Sequence, residues 1–170
     1  MNIGDEPVLE PDNPQETEPG PHNGPVVDRI KRLVTSQPYG VLCTHGDEHA
    51  YGSLVAHAFS ADLRSAVFAT PMATRKFKLL TEHGNVALVI DDRPETQDNM
   101  MNVEAITVTG RARMLEESER GPWAEMLIAR HPQLEAFVTS RSCALFRVEI
   151  KRVFHVSRFQ EVQQWVPERE

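Results

Sequence analysis

The stretch Val67-Phe68-Ala69-Thr70-Pro71-Met72-Ala73-Thr74-Arg75-Lys76 runs from a β-strand through a short loop straight into the start of a helix. Val67, Phe68 and Thr70 are strand formers, Pro71 closes the run, and Thr74 is a favoured residue at a helix N-terminus. Phe77 and Leu80 follow at helical spacing, so the helix spans Thr74 to about His83, with Gly84 at the usual C-terminal cap position. Upstream there is no helix for three consecutive strands, Tyr39 to His45, Tyr51 to Phe59 and Ser65 to Thr70. The loops joining them, Gly46-Asp47-Glu48 and Ser60-Ala61-Asp62, are polar and of hairpin length. A parallel α/β sheet needs helices between all its strands, and this order excludes it.

Further strands are expected at Asn85 to Asp91, Ala105 to Leu115 and Cys143 to Ser157. Between the last two, Ser118 is placed as the cap of a helix that presents Trp123, Met126, Leu127 and Arg130, and His131-Pro132 ends it. Leu134, Phe137 and Val138 mark one more short helix. Before the first strand, Pro25 opens an amphipathic helix with Val26, Val27, Ile30, Leu33 and Val34 on one face. The predicted fold is mainly β: a six-stranded antiparallel barrel with a few covering helices.

Residues 1–24 differ in kind, with Pro7, Pro11, Pro14, Pro19 and Pro21 among acids and almost no large apolar side chains, so a disordered arm is expected there. Residues 25–160 form the single expected domain and 161–170 a polar tail. The full chain has 170 residues, of which 40% are hydrophobic, enough for one core. Its longest apolar runs, such as Val86 to Ile90, fall far short of the roughly 20 residues a membrane helix needs. Met1 to Glu10 carries acids and a proline where a secretory signal carries basic and then apolar residues, so a cytoplasmic location is expected. A net charge of -7 without any Lys- or Arg-rich run argues against nucleic acid and anionic membrane as partners. Cys43 and Cys143 lie in apolar strands without metal-ligand neighbours and read as buried free thiols.

The chemistry concentrates at Thr74-Arg75-Lys76. A helix N-terminus presents free N–H groups and the positive end of the helix dipole, to which this sequence adds a hydroxyl, a guanidinium and an ammonium. A phosphate monoester would satisfy them all. A solvated first turn of a surface helix has the same composition, although basic residues at this end are disfavoured by about 0.3–1 kcal/mol each and so ask for an anion.

Val67-Phe68-Ala69-Thr70 followed by Ala73-Thr74-Arg75-Lys76 resembles the flavin-phosphate motif of the pyridoxamine 5′-phosphate oxidase superfamily, where a strand ending in an aromatic-Thr pair leads to Ser-Arg-Lys. The likeness extends to Ser53-Leu54-Val55, to Asn85 through Asp91 and to Val108-Thr109-Gly110-Arg111-Ala112, and so covers roughly residues 26 to 158. Ala129-Arg130-His131-Pro132 and Cys143-Ala144-Leu145-Phe146-Arg147-Val148 are similar to the small branch that includes haem-utilisation proteins. The resemblance implies a split β-barrel of the FMN-binding type that works as a homodimer, with flavin at the subunit interface. It implies that Arg75 and Lys76 bind the flavin phosphate with help from the Thr74 hydroxyl. Phe68, Ala69, Thr70 and the backbone of Ser53, Leu54 and Val55 would flank the ribityl chain and ring. Arg158 becomes a candidate flavin contact, within or across subunits, and His155 a candidate proton donor. Each has a structural alternative: Ser53 as an ordinary strand serine, Phe68 as core, Arg158 as a strand-end cap, His155 and His57 as strand residues.

The implied activity is two-electron transfer between a small molecule and FMN. No Ser-His-Asp order, P-loop or paired metal ligands compete with it. The chain departs from the superfamily pattern where Ala105 replaces a Gln that reaches flavin, and where the C-terminal Arg and His that hold the vitamer phosphate have no counterpart, which argues against vitamin B6 oxidation. Haem is the rival cofactor, but residues 161–170 contain no His to serve as the axial ligand that those relatives draw from a C-terminal extension. A non-catalytic flavin-binding interaction module is the third reading.

Overall fold

The computed structural model describes residues 24–47, 49–93, 100–158 and 161–168. Of the expected arm, residues 1–24, all but Gly24 lie outside them. Helix α1 spans Pro25–Ser36, and three strands follow: β1 Tyr39–His45, β2 Ala50–Phe59 and β3 Ser65–Pro71. Next come α2 Arg75–Glu82, β4 Asn85–Asp91, β5 Ala105–Met114, α3 Arg120–Arg130, α4 Glu135–Val138, β6 Cys143–Ser157 and β7 Glu161–Trp165. No helix among the described residues is long and apolar enough to cross a membrane.

All strand pairings are antiparallel, in the order β3-β2-β1-β4-β5-β6-β7, and β3 also pairs with β6 to close a six-stranded barrel. Strand β6 makes that closure possible. At 15 residues it is long enough for Cys143–Glu149 to pair with β3 while Val153–Ser157 pairs with β7 along the same edge. The alternation of the sequence then decides the faces. Leu42, Val55, Phe68, Leu88, Ile106 and Phe146 point inward and are buried, and Phe68 stacks on Phe146 with centroids 5.7 Å apart. The apolar stripe of α1, Val27, Ile30, Leu33 and Val34, packs into the same core. A second cluster lies outside the barrel, where Leu127 of α3 and Val138 of α4 cover Ala58, Val67 and Leu145. Cys43 and Cys143 are free, the first half-buried and the second buried.

Two expectations need correction, and a third holds for a different reason. The expected polar tail contains β7: Trp165 is only 3% exposed and joins the barrel core opposite Val153, so burial of one aromatic outweighs the polarity of Glu161, Gln163 and Gln164. Ser118 does not cap α3. It sits inside a 3-10 turn, Glu117–Glu119, closed by reciprocal bonds between the Glu116 and Glu119 side chains and backbones. Gly84 does stand at the expected position just past the His83 C-cap, but not for the left-handed conformation that usually selects glycine there, since no described glycine has positive φ. It is needed for close approach: a Cβ there would stand 2.8 Å from the Ala112 carbonyl, whose residue donates its N–H to the Gly84 carbonyl at 2.7 Å.

Candidate functional site

The ladder between β2 and β3 is short, with only His57–Phe59 paired to Ala66–Phe68. Beyond it, Leu54 to Ala56 follow β1 while Ala69 to Pro71 follow β6, so the two segments part. A cleft of about 330 Å³ opens between them. Leu54, Val55, Ala69 and Lys76 line it as the sequence leads one to expect, together with Tyr39 and Ala56, Pro71, and Leu127, Leu134 and Phe137 from the helical cover. Tyr39 and Leu54 also border a second groove of about 530 Å³, walled by Gly40, Val41 and Val89 and ending at the Asp91–Arg93 ion pair.

Lys76 supplies the positive end of the first cleft. Burial pushes its ammonium below the ordinary lysine value, and no carboxylate among the described residues compensates it. Arg75 is exposed, with its guanidinium carbon 5.5 Å from the centroid of the Tyr51 ring and no acidic partner among the described residues. Their backbone N–H groups belong to the first turn of α2, where no intrahelical acceptor exists. Thr74 is the N-cap. Its hydroxyl donates to the Pro71 carbonyl at 2.8 Å and accepts from Phe77 N–H at 3.2 Å, so the 3.1 Å contact with Thr70 Oγ1 has Thr70 as donor. All three positions of that hydroxyl are occupied, and its work is to fix the turn that carries Arg75 and Lys76.

Other sequence candidates fall elsewhere. Phe68 is fully buried, and its ring belongs to the core rather than to the cleft. Thr70 is buried beneath the α2 cap. Ser53 does not line the cleft, yet its Oγ is buried without a hydrogen-bond partner, a condition that ordinarily costs about 1–3 kcal/mol. Arg158 sits at the far end of β6 from the Cys143–Pro71 pair, with φ 46° and an ion pair to Glu161 at 3.2 Å. It is not among the residues that line the cleft.

The histidines are mostly engaged. His155 is fully buried and its Nε2 donates to Glu104 at 3.0 Å, while Arg32 reaches the same carboxylate at 2.8 Å. Burial opposes ionisation of Glu104, but the hydrogen bonds from His155 and Arg32 outweigh it and hold that carboxyl below its usual range. His131 is buried and donates from Nε2 to the His57 carbonyl at 2.9 Å. His57 is fully buried with neither ring nitrogen in a well-formed hydrogen bond; burial, and then the charges of Arg130 and His131, push it down to about 3 against a weak backbone interaction from Tyr39.

With this geometry in view, the family comparison is decisive: the sequence profile of pyridoxamine 5′-phosphate oxidase matches residues 26–164. The chain belongs to the pyridoxamine 5′-phosphate oxidase family. No curated protein matches its sequence. Among solved structures of similar fold, a haem-binding protein of Mycobacterium smegmatis superposes with a TM-score of 0.71 at 14% identity, covering 79% of this chain and 55% of that one. ChuZ of Campylobacter jejuni gives 0.71 at 11% identity over 82% of this chain and 58% of its own. An FAD-binding protein of Mesorhizobium loti gives 0.58 at 17% identity over 75% and 91%. The chain thus spans little more than half of the first two. At these identities the superpositions show the shared fold.

Set against the pyridoxamine 5′-phosphate oxidase pattern, the substitution at Ala105 has a structural counterpart. Ala105 pairs with Val156 and Asp91, and the acid beside it, Glu104, ties α1 to β6 through Arg32 and His155. Sequence reasoning missed Tyr39, Leu127, Leu134 and Phe137 as cleft residues. The helical three carried only an amphipathic signal, which says that a face is covered and not what else shares the space. Tyr39 follows Pro38 at a strand start and has no local signal at all.

Proposed function

We propose that this protein binds FMN in the cleft between β2 and β3 and acts, as a homodimer, as an oxidoreductase toward a small molecule. Lys76 carries the reading. A half-buried ammonium with no carboxylate near it among the described residues, at the positive end of a helix, is costly unless an anion completes it. The donor set fits a phosphate: Lys76 and Arg75 side chains, and the open amides of the first turn of α2, preorganised by the saturated Thr74 cap. The remaining walls, Val55, Ala69, Leu127 and Phe137, are apolar and suit a flat ring and its chain. FMN would supply the two-electron chemistry; the side chains present bind, orient and exclude water.

The same cleft supports the homodimer reading. Leu54 is 67% exposed and Tyr39 47%, and the outward faces of β1 and β4 add half-buried Val41, Cys43 and Val89. A second copy across a two-fold axis would cover this apolar surface and give the cleft its missing wall.

The test begins with the absorption spectrum of the purified protein, followed by FMN titration. Twin flavin bands, or stoichiometric uptake of FMN, are expected. Lys76→Gln and Arg75→Gln should each weaken FMN by roughly 10- to 100-fold, as loss of a charge-assisted phosphate contact does, and leave riboflavin, which lacks the phosphate, nearly unchanged. A colourless protein that takes up no flavin overturns the proposal. Haem is the rival reading, prompted by the fold shared with the haem-binding protein of Mycobacterium smegmatis, and a single intense haem band in place of the flavin pair would establish it. Scattering data that show monomers with flavin bound would remove the dimer.

A further inference from the structure

Tyr39 lies at the one place where both grooves meet. In the β1–β2 register it opposes Ala56, while Leu54 opposes Val41, so Tyr39 and Leu54 are diagonal neighbours on one face, roughly 7 Å apart by strand geometry. They are the only side chains among the described residues that border both the Lys76 cleft and the Asp91–Arg93 groove.

An aromatic ring this exposed is normally free to move, and this one is braced. One face stacks on the imidazole of His131, centroids 6.2 Å apart and planes 23° from parallel. His131 cannot swing aside, because it is buried and donates to the His57 carbonyl. Its neighbour Arg130 donates to the carbonyls of Thr35 and Gln37, clamping the segment that leads through Pro38 into Tyr39. Pro38 restricts the backbone further. The other aromatic of the cleft, Phe137, packs into the outer apolar cluster. Tyr39 is therefore a rigid ring with one face backed and the rest open to the junction of two grooves.

We propose that Tyr39 is a positioning residue: its ring is the stacking platform for the flat heteroaromatic ring of the ligand whose anionic end meets Lys76, and His131 holds that platform in place. The proposal rests on the flavin reading above and deepens it. It divides recognition between two ends of the cleft, charge at Lys76 and ring at Tyr39. It also places the flat ring at the mouth of the 530 Å³ groove, whose largely apolar walls would receive the reacting molecule.

The test uses the full chain and two ligands, FMN and riboflavin, with two readouts, affinity and emission of the bound flavin. A phenol stacked on a flavin quenches its emission by electron transfer, whereas a phenyl ring stacks without quenching. Wild type should bind both ligands with strongly quenched emission. Tyr39→Phe should keep affinity within about threefold and recover much of the emission; Tyr39→Ala should lose about tenfold in affinity for both ligands alike. Unchanged melting temperatures, expected for so exposed a side chain, separate these effects from unfolding. Quenching that survives in Tyr39→Phe, or affinity that survives in Tyr39→Ala, overturns the assignment of Tyr39 while leaving flavin binding intact. A wild-type protein that takes up neither ligand removes the flavin reading and this inference with it.

Discussion

Replacing His57 with glutamine deletes a buried base whose cost depends on pH, and the dependence can be worked out. In the folded chain the imidazole is fully buried and titrates at about 3; its ordinary value is 6.5. The unfolded chain therefore binds a proton below pH 6.5 that the native state refuses, so stability falls as pH drops through 6.5 and goes on falling until about pH 3. At about 1.4 kcal/mol per pKa unit, the contribution lost between pH 7.5 and pH 5 is about 2 kcal/mol. That figure is insensitive to the folded value, because at pH 5 the native imidazole is neutral whether it titrates at about 3 or a unit higher. The assay is urea unfolding of wild type and His57→Gln at both pH values. The variant is expected to start less stable at pH 7.5 but to lose about 2 kcal/mol less than wild type on acidification. Carboxylates held low, such as Glu104, act in both proteins and cancel in the comparison. Equal losses in the two proteins would show that the His57 ring reaches solvent or a partner in the native state.

Trp165→Ala should cost about 3–5 kcal/mol, because the indole is 3% exposed in the barrel core; a drop of less than 1 kcal/mol in denaturant unfolding would mean that β7 is not docked. Gly110→Ala should destabilise by at least about 1–3 kcal/mol, since a Cβ there stands 2.3 Å from the Glu149 carbonyl beside the β5–β6 irregularity and the backbone itself must give way; calorimetry reads it as a lowered Tm. Thr74→Val removes the α2 cap and should cost about 1 kcal/mol, whereas Thr74→Ser, which keeps the hydroxyl, should recover most of it.

The barrel was legible because β1 and β4 alternate cleanly, β3 and the start of β6 read as short apolar runs, and the hairpin loops forced antiparallel neighbours. Tyr39–His45, Asn85–Asp91 and Cys143–Ser157 were bounded to the residue. The misses share a cause, which is dependence on partners distant in sequence. Trp165 is buried only because β6 is long enough to offer a second pairing segment beyond β3. Gly84 is explained by a carbonyl 28 positions away. At the site, Lys76 could be foreseen from a local rule about helix ends and lines the cleft, whereas Phe68 fits the motif as a letter and turns inward as a side chain. Tyr39 acquires its role from His131, 92 residues later, a relation that no local pattern encodes.

The distribution of charge bears on how such a site would choose its ligand. Six of the 25 acids and none of the 18 lysines and arginines lie in residues 1–23, so residues 24–170 hold 19 acids against 18 cations and are nearly neutral. The overall value of -7 is thus mostly a property of the arm, and it says little about the field at Lys76. Several acids of the remaining chain are matched locally: Glu104 by Arg32, Asp91 by Arg93, Glu119 by Arg113. No carboxylate among the described residues faces Lys76 or Arg75. A nearly charge-balanced chain with the cations of Lys76 and Arg75 beside an apolar cleft selects for a ligand that is flat and apolar along most of its length and anionic at one end. Long-range attraction for polyanions is absent, so discrimination must come from contacts inside the cleft. It follows that salt should weaken binding only modestly, by the equivalent of one or two screened contacts, and that adding 0.5 M salt to an FMN titration should matter far less than the single change Lys76→Gln.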